Sequence, residues 1–172
     1  MVCPWCYVGT RRFEEVVARL RDDGKDVEVI HRAFELDPTV PPGGQDLADY
    51  LARKFGGSGR VAHSHARLSL LGGDVGIDFR WEGKRRLNTF DAHRLAAWAL
   101  ETAGPEVQGA LVQRLFRAYF TDNLDIAGQI GQHAVVGDLD IHAVPTFVID
   151  GRWSIPGAQD VDTFVRLLGK VA

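Results

Sequence analysis

Two cysteines three residues apart, Cys3 and Cys6, enclose Pro4 and Trp5 near the start of the chain. An amphipathic pattern follows at once. Phe13, Val16, Val17 and Leu20 fall at i, i+3, i+4 and i+7, so the spacing predicts a helix from Pro4 to about Asp22. On such a helix the two sulfurs stand one turn apart, within bridging range. The first sits where unpaired N–H groups and the macrodipole favour an anion. Placement of that kind lowers a cysteine pKa from about 8.5 into the range ~3.5–7.5. Cys3 would then be the attacking and the leaving sulfur, and Cys6, further into the helix, would resolve the mixed disulfide. Pro4 suits the first helical turn and stiffens the loop. Trp5 offers an apolar face beside the sulfur to a protein substrate.

Half of a zinc site is the competing reading of such a pair. It requires two more ligands, no second cysteine pair exists, and His63-x-His65 lacks the spacing of finger patterns. The expectation is no metal.

A second feature is Ala143-Val144-Pro145-Thr146-Phe147-Val148, a proline directly before an apolar run. Proline cannot donate to a ladder. A cis Val144–Pro145 bond would explain its position, and a trans proline opening an edge strand is the alternative.

These groups need elements to hold them. Asp22-Asp23-Gly24 ends the first helix, and Val27 to Ala33 alternates as a strand does, while Leu36 to Gln45 is a Pro/Gly-rich loop. Asp46 can cap a helix running to about Phe55, and another is expected from Gly59 to Leu71. Gly72 to Lys84 reads as irregular, with a short extended piece at Ile77–Trp81. Asn88 or Thr89 caps a further helix with Leu95, Trp98, Ala99 and Thr102 on one face. Pro105 opens the next, whose stripe is Val112, Leu115, Phe116 and Tyr119. Ile126 to Gly137 reads as one more short helix. Residues 146–149 form a strand, Asp150-Gly151 is a hairpin turn, and Arg152–Ile155 returns. The last helix starts near Asp160, burying Val161, Phe164, Val165 and Leu168.

At 172 residues the chain has room for one domain carrying an insertion, and its 45% apolar content is ordinary for a globular protein. Twenty basic and 23 acidic residues are interspersed for a net charge of −3, which leaves no basic face for nucleic acid. The apolar stretches are too short to span a bilayer. No leader is visible ahead of Cys3, and an isolated cysteine pair suits a reducing compartment, so the expected location is the cytoplasm.

The segment CPWCYVG, the distant AVPTFVIDG and the late PGAQ resemble the DsbA-like oxidoreductases, particularly their FrnE-like branch. YLARKFG from Tyr50, NTFDAHRL from Asn88 and LFRAYFTDN from Leu115 are similar to that branch's helical insertion. The resemblance implies an α/β, thioredoxin-like fold formed by residues 1–45 and 140–172, interrupted by an inserted α-helical domain over 46–139. It also implies that Pro145 is cis and faces the CPWC disulfide, with Val144 pairing its backbone to a substrate strand. Cys3 maps onto the family nucleophile and Cys6 onto its resolving partner. The strand that precedes this motif in the family is reduced here to Met1 and Val2. The stretch between Ile126 and Val144 is shortened as well. A sheet lacking its first strand exposes two edges, which pairing between two copies, a homodimer, would cover.

His93, in the insertion-like segment, could face the active-site cleft and tune Cys3, or be a satisfied surface or interdomain histidine. Gln159 could lie near the cleft, or simply start the last helix. Trp81, Trp98 and Trp153 read as packing residues, and Arg11-Arg12 and Lys84-Arg85-Arg86 as solvated charge. The reaction this predicts is dithiol–disulfide exchange with protein thiols. It needs no cofactor beyond the protein's own disulfide, with glutathione as an optional co-substrate. Two rivals differ in kind. Glutathione-dependent 2-hydroxychromene-2-carboxylate isomerases and kappa-class transferases share the insertion, but use serine in place of Cys3. A chaperone-like holdase would use the cleft with the thiols incidental.

Overall fold

The computed structural model describes residues 1–41, 43–127 and 145–169. In chain order its elements are α1 (Pro4–Asp22), β1 (Gln45–Asp46), α2 (Leu47–Phe55), α3 (Ser58–Gly73), β2 (Arg85–Arg86), α4 (Phe90–Ala103), α5 (Pro105–Phe120), β3 (Thr146–Ile149), β4 (Trp153–Pro156) and α6 (Val161–Leu168). They divide into two units, one of Met1–Cys3 with Val29–Gly137 and one of Pro4–Glu28 with Asp138–Ala172. Residues 29–45, assigned from sequence to the thioredoxin-like part, group here with the helical block. The helix expected at Ile126–Gly137 lies almost wholly outside the described residues.

In the unit that contains α1, the α1 and α6 helices cover one face of the β3–β4 hairpin. The core is Val16, Ile155, Phe164 and Leu168, with Phe13 and Phe147 packed on it. Phe164 stands edge-on to both Phe13 (5.4 Å) and Phe147 (4.8 Å). A fully buried phenylalanine of this kind is worth about 3–5 kcal/mol against alanine. Asp150 and Gly151 both take positive φ, 49° and 65°, and Arg152 N–H closes the turn on the Ile149 carbonyl at 3.0 Å. That is the turn the right-handed strand twist favours. Because Arg152 closes it, the return strand starts at Trp153, one residue later than expected. Asp160 caps α6 by accepting from the Thr163 N–H at 2.8 Å. Two expectations fail here: Val165 and Trp153 are exposed, Trp153 because it stands at the open end of a two-stranded hairpin that α1 and α6 cover elsewhere.

In the other unit, Asp46 caps α2 through the Asp49 N–H at 2.8 Å, and Pro105 opens α5. Phe79, Trp81, Phe116, Tyr119 and Phe120 form an aromatic core, with Phe79 edge-on to Phe120 at 5.2 Å. On α4 the buried residues are Ala92, His93, Arg94, Ala96 and Ala99, whereas Trp98 and Thr102 are exposed. Small alanines let a neighbouring helix approach closely, so they, rather than the bulky Trp98, occupy the interface.

The strand expected at Val27–Ala33 and the extended piece at Ile77–Trp81 carry no ladder among the described residues. The first is nevertheless extended in its burial. Residues 27 to 38 alternate between half-buried and exposed. Its backbone is tied by a side chain. Gln108 on α5 is 1% exposed, and its Oε1 accepts from the His31 N–H at 2.8 Å while its Nε2 donates to the His31 carbonyl at 2.8 Å. One amide thus replaces the two hydrogen bonds a partner strand would supply. Lys84 and Arg86, expected in solvent, are not. Lys84 is buried, donating to the Tyr119 carbonyl and to Asn123 Oδ1, and Arg86 pairs with Asp37 and lies over the Tyr50 ring. The Tyr119 carbonyl at the end of α5 and the Asn123 side-chain oxygen just beyond it are the acceptors that make burial of that ammonium tolerable.

Candidate active site at the start of the first helix

Helix α1 begins at Pro4, so Cys3 occupies the position that flanks its first turn and Cys6 lies within it. That turn contains no acidic residue, so no side chain of its own opposes the positive end of the helix dipole. Cys3 is buried and Cys6 half-buried. Positions three apart in helical geometry have α-carbons about 5 Å apart, inside the range of about 4.4–6.8 Å that a disulfide needs. The spacing therefore admits the bond. Pro4 and Trp5 are half-buried beside the sulfurs. Thr10 donates to the Cys6 carbonyl at 2.8 Å, fixing the helix just after the motif.

Pro145 is buried in the same unit as Pro4, Trp5 and Cys6. It lies on α1 one turn past Cys6, where a β-carbon built on Gly9 would come 2.9 Å from its Cγ. Its carbonyl accepts from the Gly157 N–H at 2.7 Å. Gln159 is in the same loop, its Nε2 donating to the Pro156 carbonyl at 2.6 Å and its N–H to the Gly157 carbonyl at 3.0 Å. The structure thus gathers Cys6, Pro145 and the Gln159 loop around one helix. Val144 lies outside the described residues.

His93 belongs, with Cys3, to the other unit. It is buried on α4, and that burial holds its pKa down at about 4, against the opposing effect of a hydrogen bond to the Phe34 backbone. Its imidazole is therefore neutral near pH 7. Its Nε2 has no hydrogen-bond partner among the described residues. His65 stacks on Trp81 with ring centres 4.0 Å apart, while His63 is exposed. Among the described residues no cluster of three or more His, Cys, Asp or Glu side chains is placed to hold a metal ion. No described helix is long and apolar enough to cross a membrane.

Two residues of this region carry no signal of their own in the motifs. Arg12, expected in solvent, is half-buried and donates to the Ala158 carbonyl at 3.3 Å. Gly9 is a glycine inside a strongly periodic helix, which is unfavourable by about 1 kcal/mol relative to alanine unless something approaches closely. That cost was the available clue.

Residues 1–143 match the family of DSBA-like thioredoxin domains. The uncharacterised protein YwbO of Bacillus subtilis is 26% identical over 196 residues, spanning 97% of this chain and 91% of its own length. A crystal structure of a probable DsbA oxidoreductase from Streptomyces coelicolor superposes with a TM-score of 0.71 at 25% identity, covering 98% of this chain and 85% of that one. With a CxxC pair opening its first helix, a proline-led hairpin and a block of helices between them, the chain belongs to the DSBA-like thioredoxin domain family and has that family's thioredoxin-like α/β fold with a helical insertion.

Proposed function

We propose that the chain is a protein thiol–disulfide oxidoreductase of the FrnE-like branch, working through Cys3 and Cys6. The observation that carries the reading is the Cys3-Pro4-Trp5-Cys6 pair at the start of α1, with Pro145 lying on that helix one turn further on. Family membership and the DsbA-type neighbour support thiol–disulfide chemistry in general.

In the reducing direction the Cys3 thiolate attacks one sulfur of a substrate disulfide. A Cys3–substrate bond forms as the substrate S–S bond breaks, and the departing thiolate takes a proton from water. Cys6, deprotonated in turn, attacks Cys3 Sγ, forming the Cys3–Cys6 disulfide and releasing the second substrate thiolate. Two electrons pass from the protein dithiol to the substrate, and oxidation of a substrate is the same sequence reversed. Trp5 flanks the reacting sulfur as an apolar contact. Pro145, in the cis form, marks the edge that meets an extended substrate segment. The reading includes a cytoplasmic location, no resident cofactor or metal, and a thiol such as glutathione as the recycling co-substrate.

Insulin-disulfide reduction and dithiothreitol-coupled exchange, run on the parent and on Cys3→Ser, test it. Turnover in the parent and loss of at least a hundredfold in the variant are expected. Equal rates in the two would remove the mechanism.

A further inference from the structure

We infer that Gly9 is a positioning residue, whose absent side chain sets how closely Pro145 and the loop at 157–159 approach the helix that carries Cys6. The inference rests on the reading of Pro145 as part of the substrate-binding edge. Its basis is three contacts within one unit.

The first is steric. A β-carbon at Gly9 would meet Pro145 Cγ at 2.9 Å, Ala158 Cβ at 3.1 Å and Ala158 Cα at 3.3 Å. None of these is the yielding tip of a flexible side chain. One is a closed ring, another backbone. Gly9 does not have positive φ, so the helix conformation itself would accept any residue. Space alone demands glycine. By contrast, Gly59 and Gly73, also helical, have nothing within 4 Å of the same construction.

The second and third contacts make the seat a single body. Gly157 N–H donates to the Pro145 carbonyl at 2.7 Å, and Arg12, three residues beyond Gly9, donates to the Ala158 carbonyl at 3.3 Å. Pro145 and the loop are bonded to each other, and α1 grips the loop through Arg12. A methyl at Gly9 therefore lifts both together. Restoring an ordinary contact of 3.4–4 Å from 2.9 Å means a movement of roughly 0.5–1 Å. Displacements of that size at a reacting centre can cost about a hundredfold in rate. Cys6 sits on the helix and Cys3 just ahead of it in sequence, neither of them part of the seat, so their own exchange with a small dithiol is untouched.

The test compares the parent with Gly9→Ala, with Gly59→Ala as the open-space control and Ala158→Val to crowd the same seat from the loop side. The Gly157 amide resonance is expected to move in Gly9→Ala and in Ala158→Val, and to stay in place in Gly59→Ala. Insulin reduction should fall at least tenfold in the two seat variants through a raised KM, while exchange of Cys3–Cys6 with dithiothreitol stays within twofold of the parent. An unmoved Gly157 resonance, or equal losses in both assays, overturns the inference. Should Gly9→Ala not fold, the Ala158→Val results decide by the same criteria. A parent inactive in both assays would instead overturn the proposed function, and the Gly157 resonance would still judge the seat.

Discussion

Replacing Gln108 by methionine isolates the side chain that stands in for a strand. The two residues are close in length and helix propensity, so α5 itself is unaffected. What is lost is the amide: the His31 N–H and carbonyl lose partners at 2.8 Å each, and the Ala96 carbonyl loses one at 3.2 Å. An unsatisfied buried backbone group costs about 1–3 kcal/mol. Ala96 lies inside α4, where its carbonyl also serves the helix, so two groups dominate and give about 2–6 kcal/mol. His31 is half-buried, and water reaching it cuts this towards the lower end. Gln108→Met should therefore destabilise by about 2–3 kcal/mol. With a urea m-value of about 2 kcal/mol/M, the midpoint drops by roughly 1–1.5 M at unchanged m. Urea unfolding followed by circular dichroism measures the loss, and amide hydrogen exchange localises it. The His31 amide should exchange slowly in the parent and at least a hundredfold faster in the variant, with α1 and α6 amides nearer their parent rates. A midpoint within 0.2 M of the parent together with a still-protected His31 amide would refute the reasoning.

Two pH dependences follow from burial and capping. Burial holds the Lys84 pKa down at about 8, below its unfolded value of about 10.4, so between those values the unfolded chain binds the extra proton and stability rises with pH. Lys84→Met should flatten the rise in melting temperature from pH 8 to 9.5. Above about pH 10 Tyr119, whose burial raises its pKa, opposes the trend. In acid the slope has the same sign. The Thr163 backbone N–H and hydroxyl hold the Asp160 carboxyl below its usual range, so the α6 cap stabilises above about pH 4 and fades as pH falls further. Asp160→Ala should lower stability at pH 7, with the loss shrinking as the pH falls below about 4, read from chemical denaturation across that range.

Where one residue type leaves few options, the chain could be read directly. The CPWC pair, the helix behind it, Asp150-Gly151 at positive φ and the aspartate caps of α2 and α6 all follow from local chemistry, and each is where the spacing put it. What could not be read depends on partners far away in sequence. An alternating run at Val27–Ala33 has strand character, but a strand exists only when a second backbone meets it, and here Gln108, 77 residues on, takes that place. Lys84 looks like surface charge until the Tyr119 carbonyl and the Asn123 side chain are brought to it. Trp98 looks like core until smaller alanines one position away prove better suited to a close helix contact. The candidate site divides the same way: the sulfurs were legible, while the fit of Gly9 against Pro145, more than a hundred residues apart, was not.

The half-covered segment also governs how the molecule behaves in concentrated solution. Ile30, Phe34 and Leu36 are 39, 36 and 47% exposed on one side of an extended run, a composition that invites stacking with identical segments. Asp26, Glu28 and Arg32 interrupt it with charge and act as gatekeepers. Their protection is electrostatic, so it weakens as ionic strength shortens the screening length to about 3 Å at 1 M salt. Purification steps at high salt are where this chain will turn cloudy first, and dilute buffer is where it keeps.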